Sequence, residues 1–444
     1  MRQKIQLSDH FTYPKLLRFA LSPIMMMVFT SIYGVVDGLF VSNFVGKVPF
    51  AAINLVMPFT MVLGGLGFMV GTGGSALVAK TMGEGDHETA RRYFSMMVIF
   101  TLILGIASSV IGIAVMRPVS YLLGATDSMI DDCVVYGNTV IAFTTAFMLQ
   151  NVFQTFLSTA EKPKLGLAFT VAAGVTNMVL DALFIAVFRW GVLGAALATG
   201  ISQCVGGILP LLYFLRPNSS LLQLAKTRLE ARALLKACTN GSSELMSNIS
   251  GSIVGMLYNW QLLRYAGEDG VAVYGVLMYI QFIFIAIFIG YTVASTPIIG
   301  YHHGAANHAE LKNLLKKSVV LNIIVGAAMV LAAQLLSAPL ANIFVGYDQE
   351  LSLLTQHAFK PFSYAFLLIG FNIFVSSFFT ALNNGAISAV ISFLRSLVFQ
   401  IISVLVLPLI LGLDGIWWSV AAADIFACVI SVVFLVVKRK QYHY

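Results

Sequence analysis

Residues 165–188 read LGLAFTVAAGVTNMVLDALFIAVF, an apolar run with two strongly polar side chains in its second half. A helix of about 20 apolar residues crosses the hydrocarbon core of a bilayer, and this run has that length and composition. Asn177 and Asp181 are four residues apart, so on such a helix they share one face. An ionised acid inside a membrane is costly unless it faces the protein interior, a partner or a watery cavity. We therefore predict a membrane-spanning helix with a functional polar face.

The composition of the whole chain indicates a polytopic membrane protein. Of its 444 residues, 59% are apolar and 10% are charged, and the mean hydropathy is +0.88. A soluble domain has about 25% charged residues. The net charge of +7 would favour nucleic-acid binding in a soluble protein. Here the basic residues lie mostly between apolar runs, so we expect membrane topology to explain them and expect no nucleic-acid partner. The four cysteines are scattered without metal-ligand spacing, and we interpret them as packing residues.

Long apolar runs fill nearly the whole sequence and predict an all-α membrane protein with twelve transmembrane helices. No linker of low complexity and no soluble domain interrupts them. The predicted spans cover residues 14–46, 51–79, 94–116, 132–160, 165–188, 191–215, 238–264, 271–300, 318–338, 353–381, 386–411 and 415–437.

The distribution of basic residues predicts the orientation of the chain. Twenty of them, including Arg2 and Lys4, lie on the side of the two termini, and only four lie on the opposite side. Loops rich in Lys and Arg stay in the cytoplasm. We therefore expect both termini to be cytoplasmic. The four basic residues on the opposite side are Lys47, Arg117, Arg189 and Arg264.

The two halves of the chain align as repeats at one ungapped offset of 221 residues. Each half has six predicted spans, so both halves enter the membrane in the same direction and are related by a pseudo-two-fold axis along the membrane normal. We predict an N-lobe (1–215), a cytoplasmic linker (216–237) and a C-lobe (238–444). Leucines interleaved with charges in the linker leave open an amphipathic helix on the membrane surface. The matched pairs include Gly83/Gly304, His87/His308, Pro118/Pro339, Asn151/Asn372, Thr159/Thr380 and Gly194/Gly415.

Four polar residues within N-lobe spans have no polar equivalent of the same kind in the C-lobe. A packing role would tend to recur in both copies, so we interpret this set as a site that is needed once. Distances from the span ends place its members in the outer half of the membrane, within about one helical turn in depth. Carboxylate, amide and hydroxyl oxygens suit a small hard cation such as Na⁺, and neighbouring carboxylates can instead share protons. The four are Asp37, Asn177, Asp181 and Thr199, which align with Tyr258, Val398, Ile402 and Val420.

Further polar residues lie near this set in the predicted spans. Tyr33 is one turn from Asp37 and either hydrogen-bonds to it or packs. Asn151 and Gln154 are candidates to line the same cavity. Because Asn151 has a twin in Asn372, a structural hydrogen bond between helices is an equally good interpretation.

Other candidates lie on spans one, seven, eight, eleven and twelve. Glu244 is a candidate for coupling or substrate contact, and Gln281 is a candidate to face a central cleft. Arg395 and Asp424 are in mid-span and are expected to pair with each other. Pro23 removes a backbone hydrogen bond from the first span and is predicted to kink that helix, which would move Asp37.

Four short motifs carry a resemblance to a known family of membrane transporters. The motifs are Tyr33-Gly34-Val35-Val36-Asp37-Gly38, Gly71-Thr72-Gly73-Gly74, Met82-Gly83-Glu84-Gly85 and Asn177-x-x-x-Asp181. On these, the whole chain resembles the multidrug and toxic compound extrusion (MATE) family, in particular its bacterial exporters of the MepA and DinF type. The resemblance implies two six-helix lobes around a cleft that opens alternately to either side, in the bacterial inner (cytoplasmic) membrane. It also implies export of bulky organic cations and other drugs, driven by inward H⁺ or Na⁺ flow.

The resemblance also assigns residues. The family's amino-terminal cation site maps onto the same four residues, Asp37, Asn177, Asp181 and Thr199, with Asn151 nearby. Relatives of the NorM type have a further cation site in the carboxy-terminal lobe, with acids on spans seven and ten. Glu244 matches the first of these acids, but residues 371–377 of span ten contain no carboxylate, so we expect no complete second site of that kind.

The function predicted from these features is a secondary active multidrug efflux antiporter that works by alternating access. We expect it to be a monomer with no cofactor other than its coupling ion, H⁺ and/or Na⁺. The alternative is a lipid-linked oligosaccharide flippase of the same superfamily, which would need a cationic cleft for phosphates. Away from the span ends, the only basic residues inside spans are Lys360 and Arg395, which disfavours the flippase. No zinc-protease motif, nucleophile elbow or phosphate loop supports an enzyme, and the duplicated scaffold disfavours a passive channel.

Overall fold

The computed structural model describes residues 5–346 and 348–444, and within these ranges the chain is helical with no β-strand. The helices are α1 (Tyr13–Phe44), α2 (Lys47–Gly83), α3 (His87–Leu122), α4 (Ile130–Ala142), α5 (Thr144–Thr159), α6 (Pro163–Asp181), α7 (Gly191–Leu215), α8 (Ala231–Gly304), α9 (His308–Val345), α10 (Gln349–Ser363), α11 (Phe366–Ala381), α12 (Gly385–Phe393), α13 (Phe399–Leu411) and α14 (Leu413–Tyr442). Two π-helical segments, Ala182–Val187 and Leu394–Val398, continue α6 and join α12 to α13.

These helices form twelve membrane spans in the described part of the chain. Two spans are helix pairs bent in the middle, α4 with α5 by 51° and α10 with α11 by 46°. The 74-residue helix α8 would measure ~110 Å if straight, far more than a bilayer is thick. It turns back at Gly267, whose φ of 64° and ψ of −150° suit a residue without a Cβ atom. Span seven is therefore the part of α8 before Gly267, and span eight is the part after it.

The segment between the two halves does not form the amphipathic helix that its leucine pattern left open. Residues 216–230 are non-helical, and the next helix begins at Ala231. The side chains and backbone of the segment are instead used in contacts with α3. The backbone amide of Ala225 donates a hydrogen bond to Ser95 Oγ at 2.8 Å, and Leu222 is fully buried. Because α3 satisfies these groups, the segment gains nothing from folding as a surface helix.

The two chain ends and the α8–α9 junction meet at one face of the bundle, which we call the terminal face. The backbone amide of Phe11 donates to Glu310 Oε1 at 2.9 Å. At the other end of the chain, the ring of Tyr442 packs on His303 with centroids 5.7 Å apart. Arg2 and Lys4, which count toward the predicted orientation, lie outside the described residues, and so does the side chain of Lys47. The cytoplasmic location of this face therefore stays a prediction.

The N-terminal segment before α1 crosses the terminal face and contacts both halves of the molecule. Leu7 and Phe11 are fully buried. The amide of Leu7 donates to Glu161 Oε1 at 2.8 Å in the first half, whereas Glu310 in the second half holds both Phe11 and the ring of His10, whose Nδ1 lies 2.6 Å from Oε2. This segment therefore holds the two halves together at the terminal face.

Helices α2 and α8 approach most closely at the terminal face. A Cβ atom added to Gly83 would lie 1.9 Å from the carbonyl oxygen of Tyr301, and one added to Gly304 would lie 1.9 Å from that of Lys80. Adding the repeat offset of 221 to 80 and 83 gives 301 and 304, so the two contacts are related by the pseudo-two-fold axis. This reciprocal contact places the axis between the ends of α2 and α8.

The same close approach continues one further step into the membrane and then ends. A Cβ atom added to Gly73 would lie 1.9 Å from the carbonyl oxygen of Ala237, and one added to Gly241 would lie 1.8 Å from the carbonyl oxygen of Met69. Farther along α8, Cβ atoms at Gly251 and Gly255 would meet no heavy atom within 4 Å. The helices therefore diverge with distance from the terminal face. We call the four closely packed glycines the glycine interface: Gly73, Gly83, Gly241 and Gly304.

The buried apolar residues follow the same pattern. One core contains residues of both halves together with Phe11 and Tyr444, so it lies at the terminal face. Two further cores each belong to one half, one around Ile141 and one around Trp417. A small fourth cluster joins Met26 and Met27 of the first half to Ala286 of the second. The two halves therefore pack as lobes that share their largest core at the terminal face and have one separate core each.

Candidate functional site

Three of the four residues predicted to bind a cation lie together in the N-lobe. Asp37 lies on α1, and Asn177 and Asp181 lie in the last two turns of α6. The side chain of Asp37 is adjacent to those of Asn177 and Asp181. Asp181 is fully buried and Asn177 is 2% exposed. The packing of α1 against α6 therefore brings two carboxyl groups and an amide oxygen into one small volume.

The oxygens of this group lack the hydrogen bonds that buried acceptors normally make. Within the described residues, Asp37 Oδ1, Asn177 Oδ1 and both carboxyl oxygens of Asp181 are buried and accept no hydrogen bond. Buried polar atoms in native proteins are almost always paired, because an unpaired one costs about 1–3 kcal/mol. Four such oxygens in one place form a ligand set that suits a small hard cation or shared protons. We call the residues Asp37, Asn177 and Asp181 the N-lobe acid site.

The helix changes its geometry directly after Asp181. Residues Ala182–Val187 form a π-helical turn, which has one more residue per turn than an α-helix and often marks a functional position. Phe184 within this turn stacks on Trp190, which lies just beyond the turn, with ring centroids 4.8 Å apart. The wider turn ends the regular α-helical ladder beside the acid site.

Thr199, the fourth predicted ligand, is not joined to the acid site by a hydrogen bond in the described structure. It lies half-buried on α7, and its carbonyl oxygen accepts a hydrogen bond from Ser202 at 2.7 Å. The sequence predicts a depth for Thr199 similar to that of the acids, but depth alone does not specify which side of α7 faces α1 and α6.

Two further candidates take structural or neighbouring positions. Asn151 Nδ2 donates to the Gly64 carbonyl oxygen at 3.3 Å, and its twin Asn372 Nδ2 donates to Asp424 Oδ1 at 3.0 Å. Each hydrogen bond joins two helices, which agrees with the interpretation that Asn151 and Asn372 have a structural role. Gln154 is buried on α5.

The surroundings of α1 involve Tyr33 and Pro23. The side chain of Gln150 lies next to Tyr33 as a hydrogen-bonding neighbour, and the ring of Tyr33 packs closely against Gly174. Helix α1 runs unbroken through Pro23, which is buried. The backbone after it is in close contact with span eight, since a Cβ added to Gly290 would lie 2.4 Å from Ile24 Cα. The predicted kink at Pro23 stays a prediction.

Two candidates belong to α8 in the C-lobe. Glu244 is half-buried, and its carboxyl group interacts electrostatically with Arg395. Gln281 has a buried side-chain oxygen that accepts no hydrogen bond from the described residues. The expected pairing of Arg395 with Asp424 is confirmed, with Nη1 and Oδ1 4.0 Å apart.

The structure adds residues that sequence reasoning missed. Tyr136 on α4 is close enough to interact electrostatically with both Asp37 and Asp181. Gln150, which contacts Tyr33, and Gln203, whose buried side-chain oxygen accepts no hydrogen bond from the described residues, add two amides to N-lobe spans four and six. The repeat contained a signal for Gln150, because its counterpart at the 221-residue offset is Phe371.

The site does not resemble a transition-metal centre. Among the described residues, no group of three or more His, Cys, Asp or Glu side chains is placed to hold a metal ion. Two carboxylates and an amide oxygen fit an alkali cation or protons better than zinc, which prefers nitrogen and sulfur ligands.

Twelve spans in two pseudo-symmetric lobes, packed together at one face and diverging toward the other, with unpaired acids inside one lobe, are the architecture of a membrane transporter. The family model MatE matches residues 23–183 and, separately, 245–406, one match in each lobe. The chain therefore belongs to the MatE family. The resemblance drawn from the motifs is confirmed.

Relatives and solved structures agree with this family. Multidrug export protein MepA of Staphylococcus saprophyticus is 24% identical over 434 residues, covering 97% of this chain and 93% of the relative. The protein of that name from Staphylococcus aureus is 21% identical over 433 residues, with 97% and 94% covered. A multidrug resistance MATE family transporter solved in an outward-facing conformation has a TM-score of 0.93 at 22% identity, covering 100% of this chain and 99% of that one. A MOP superfamily transporter from Pyrococcus furiosus has a TM-score of 0.92 at 21% identity, with 100% and 99% covered. The predicted fold of twelve helices in two lobes is thereby confirmed.

Proposed function

We propose that this protein is a multidrug efflux antiporter that exports bulky organic compounds, many of them cationic, in exchange for inward flow of H⁺ or Na⁺ through the N-lobe acid site. The observation that carries the proposal is the group of four buried oxygens without a hydrogen bond. A protein that only needed to be stable would pair these oxygens or replace them with apolar groups. Binding and release of a cation or protons at this site gives the oxygens a partner during part of each cycle.

The packing of the lobes supports alternating access. The glycine interface closes the terminal face, and the lobes diverge beyond Asn248, where Gly65 makes only ordinary contacts with α8. With the terminal face in the cytoplasm, as the basic residues predict, this is the outward-open state. The similarity to a transporter solved in an outward-facing conformation is consistent with that assignment.

The surface of the diverging region suits varied organic molecules. Met61 and Met57 lie one and two turns beyond Gly65 on the same face of α2, so they line the space between α2 and α8. They are 42% and 36% exposed. Flexible thioethers adapt to ligands of different shape without a fixed hydrogen-bond pattern.

Transport in inside-out vesicles with imposed ion gradients tests the proposal. We expect vesicles containing the protein to accumulate an ethidium-like dye when H⁺ or Na⁺ is made to flow outward from the lumen, in the direction opposite to the dye. Without a gradient, dye uptake should remain at the level of vesicles without the protein. Stimulation by only one of the two ions identifies the coupling ion. Accumulation at the same rate with no ion gradient would contradict coupled antiport.

Pro23 gives a prediction about movement of α1. We expect Pro23→Ala to slow ion-driven dye export several-fold, because a restored backbone hydrogen bond stiffens α1 and restricts displacement of Asp37. Dye binding at equilibrium should change little. Gly290→Ala, which crowds the same contact from span eight, serves as a comparison for effects of packing alone. Full transport by Pro23→Ala would remove this role from the mechanism.

A further inference from the structure

The C-lobe has a charged cluster that lies on four spans, two of which correspond to the spans of the N-lobe acid site. Glu244 lies on span seven, Asn372 on span ten, Arg395 on span eleven and Asp424 on span twelve. These are the repeat equivalents of spans one, four, five and six. The charged residues are not repeat twins of the N-lobe acids, so the cluster arose separately within the same framework.

Contacts across three helices hold this cluster together. Asp424 is 1% exposed, lies 4.0 Å from Arg395 and accepts a hydrogen bond from Asn372 Nδ2 at 3.0 Å. Ser247, one turn from Glu244 on α8, lies 3.5 Å from the neighbouring Ser396 between their hydroxyl oxygens. The guanidinium of Arg395, whose side chain is 16% exposed, therefore lies beside Asp424. The contact of Ser247 with Ser396 places the turn that carries Arg395 next to the face of α8 that carries Glu244, and Arg395 acts electrostatically on the Glu244 carboxyl group.

The acids of the two lobes thus differ in whether they have a partner of opposite charge. In the N-lobe, both Asp181 oxygens and one Asp37 oxygen have no partner within the described residues. In the C-lobe, the guanidinium of Arg395 supplies the positive charge beside the acids. This group is covalently attached to the chain and never loses its proton under physiological conditions. The π-helical turn Leu394–Val398 carries Arg395, as another π-helical turn follows Asp181 in the N-lobe.

We propose that Arg395 is a tethered cation that fills a latent cation site between Glu244 and Asp424, and so restricts ion exchange to the N-lobe. The positive charge stays in place throughout the cycle because it cannot dissociate into either compartment. Removal of the guanidinium leaves the carboxylates of Glu244 and Asp424, the second of them held by Asn372, beside a space of about guanidinium size. That space binds a small monovalent cation from solution.

Thermal unfolding of purified protein tests this proposal independently of the N-lobe. The background carries Asp37→Asn and Asp181→Asn, so a failure of the proposed function leaves the readout unaffected. In that background, the additional change Arg395→Ala should make the unfolding midpoint rise by a few degrees when choline chloride is replaced by sodium chloride, or by low millimolar guanidinium chloride, at constant ionic strength. With Arg395 present, the midpoint should not respond to either cation.

Two matched variants complete the test. Adding Asp424→Asn to the Arg395→Ala protein should abolish the cation response, because one of the two carboxylates is lost. Lys360→Ala removes the other basic residue within a span, an exposed one, and should create no response. Where the alanine variant does not fold, Arg395→Gln fills most of the same volume and is measured in the same way. Unfolding midpoints that ignore sodium and guanidinium in the Arg395 variants would overturn the proposal and leave Arg395 as a purely structural ion-pair partner.

Discussion

Asp181→Asn is expected to abolish ion-driven dye export, and Asp37→Asn is expected to do the same. Each change keeps the shape of the side chain and removes the charge that attracts a cation or carries a proton. Movement of one charge across 100 mV contributes ~2.3 kcal/mol, equivalent to roughly a 40-fold substrate gradient. Loss of the coupled ion should therefore reduce dye accumulation by about that factor for each charge no longer moved.

Stability separates this effect from a folding defect. The asparagine variants should unfold at the same temperature as the unmodified protein or higher, because a buried carboxyl without a hydrogen bond costs stability in the folded state. Asp131→Asn is the control, since Asp131 pairs with Arg117 on an exposed surface, 2.9 Å between Oδ1 and Nη2. That variant should export dye normally. Export retained by both Asp181→Asn and Asp37→Asn would rule out the N-lobe acid site as the coupling site.

The core of this site was predictable because charge in an apolar run is rare and costly. Asp37 and Asp181 stand out in sequence for that reason, and Asn177 follows from helical spacing. Tyr136 and Gln150 were missed because a phenol or an amide costs less in a membrane and gives no comparable signal. Whether such a residue reaches the site depends on which way its helix is rotated, and rotation is specified by packing against neighbours. The same limit applies to Thr199, whose depth was predictable but whose contacts were not.

The span pattern was predictable for the same reason, whereas the breaks within spans were not. Apolar length predicts where helices cross the membrane, and all twelve spans are present. The bend between α4 and α5 and the two π-helical turns involve no unusual composition, so hydrophobicity does not reveal them. The linker shows the converse case. Its leucines look amphipathic, but Leu222 is buried in the core that α3 shares, whereas Leu229 is exposed, and periodicity alone cannot identify that packing partner.

The glycine interface was visible only as family motifs in sequence, and the structure supplies its physical reason. The residues Gly71-Thr72-Gly73-Gly74 and Met82-Gly83-Glu84-Gly85 contain two of its members, and Gly241 and Gly304 lie on the facing helix. Backbones that come this close leave no room for a methyl group. Substitution of one of these glycines therefore tests whether this contact closes the terminal face, since even the smallest side chain would separate α2 from α8.

Gly241→Ala is accordingly expected to prevent closure of the terminal face and to stop transport. The added Cβ would lie 1.8 Å from the Met69 carbonyl oxygen, so the helices must move apart by roughly 1.5 Å to reach ordinary contact. Gly255→Ala is the matched control on the same helix, because its Cβ would meet no heavy atom within 4 Å. In a helix the same substitution is otherwise favourable by up to ~1 kcal/mol, so a loss of function at residue 241 alone cannot come from helix propensity.

The thiol of Cys238 reports the state of this interface directly. It is half-buried and adjacent to Ala237, the residue whose carbonyl faces Gly73. In a protein that retains Cys238 as its only cysteine, Gly241→Ala should raise the rate of labelling by a maleimide several-fold, because the separated helices admit the reagent. Gly255→Ala should leave the rate unchanged, and only Gly241→Ala should lose dye export. If both variants label and transport alike, close backbone contact is not what closes this face, and the N-terminal segment, with Glu161 and Glu310 as its anchors, becomes the element that holds the lobes together.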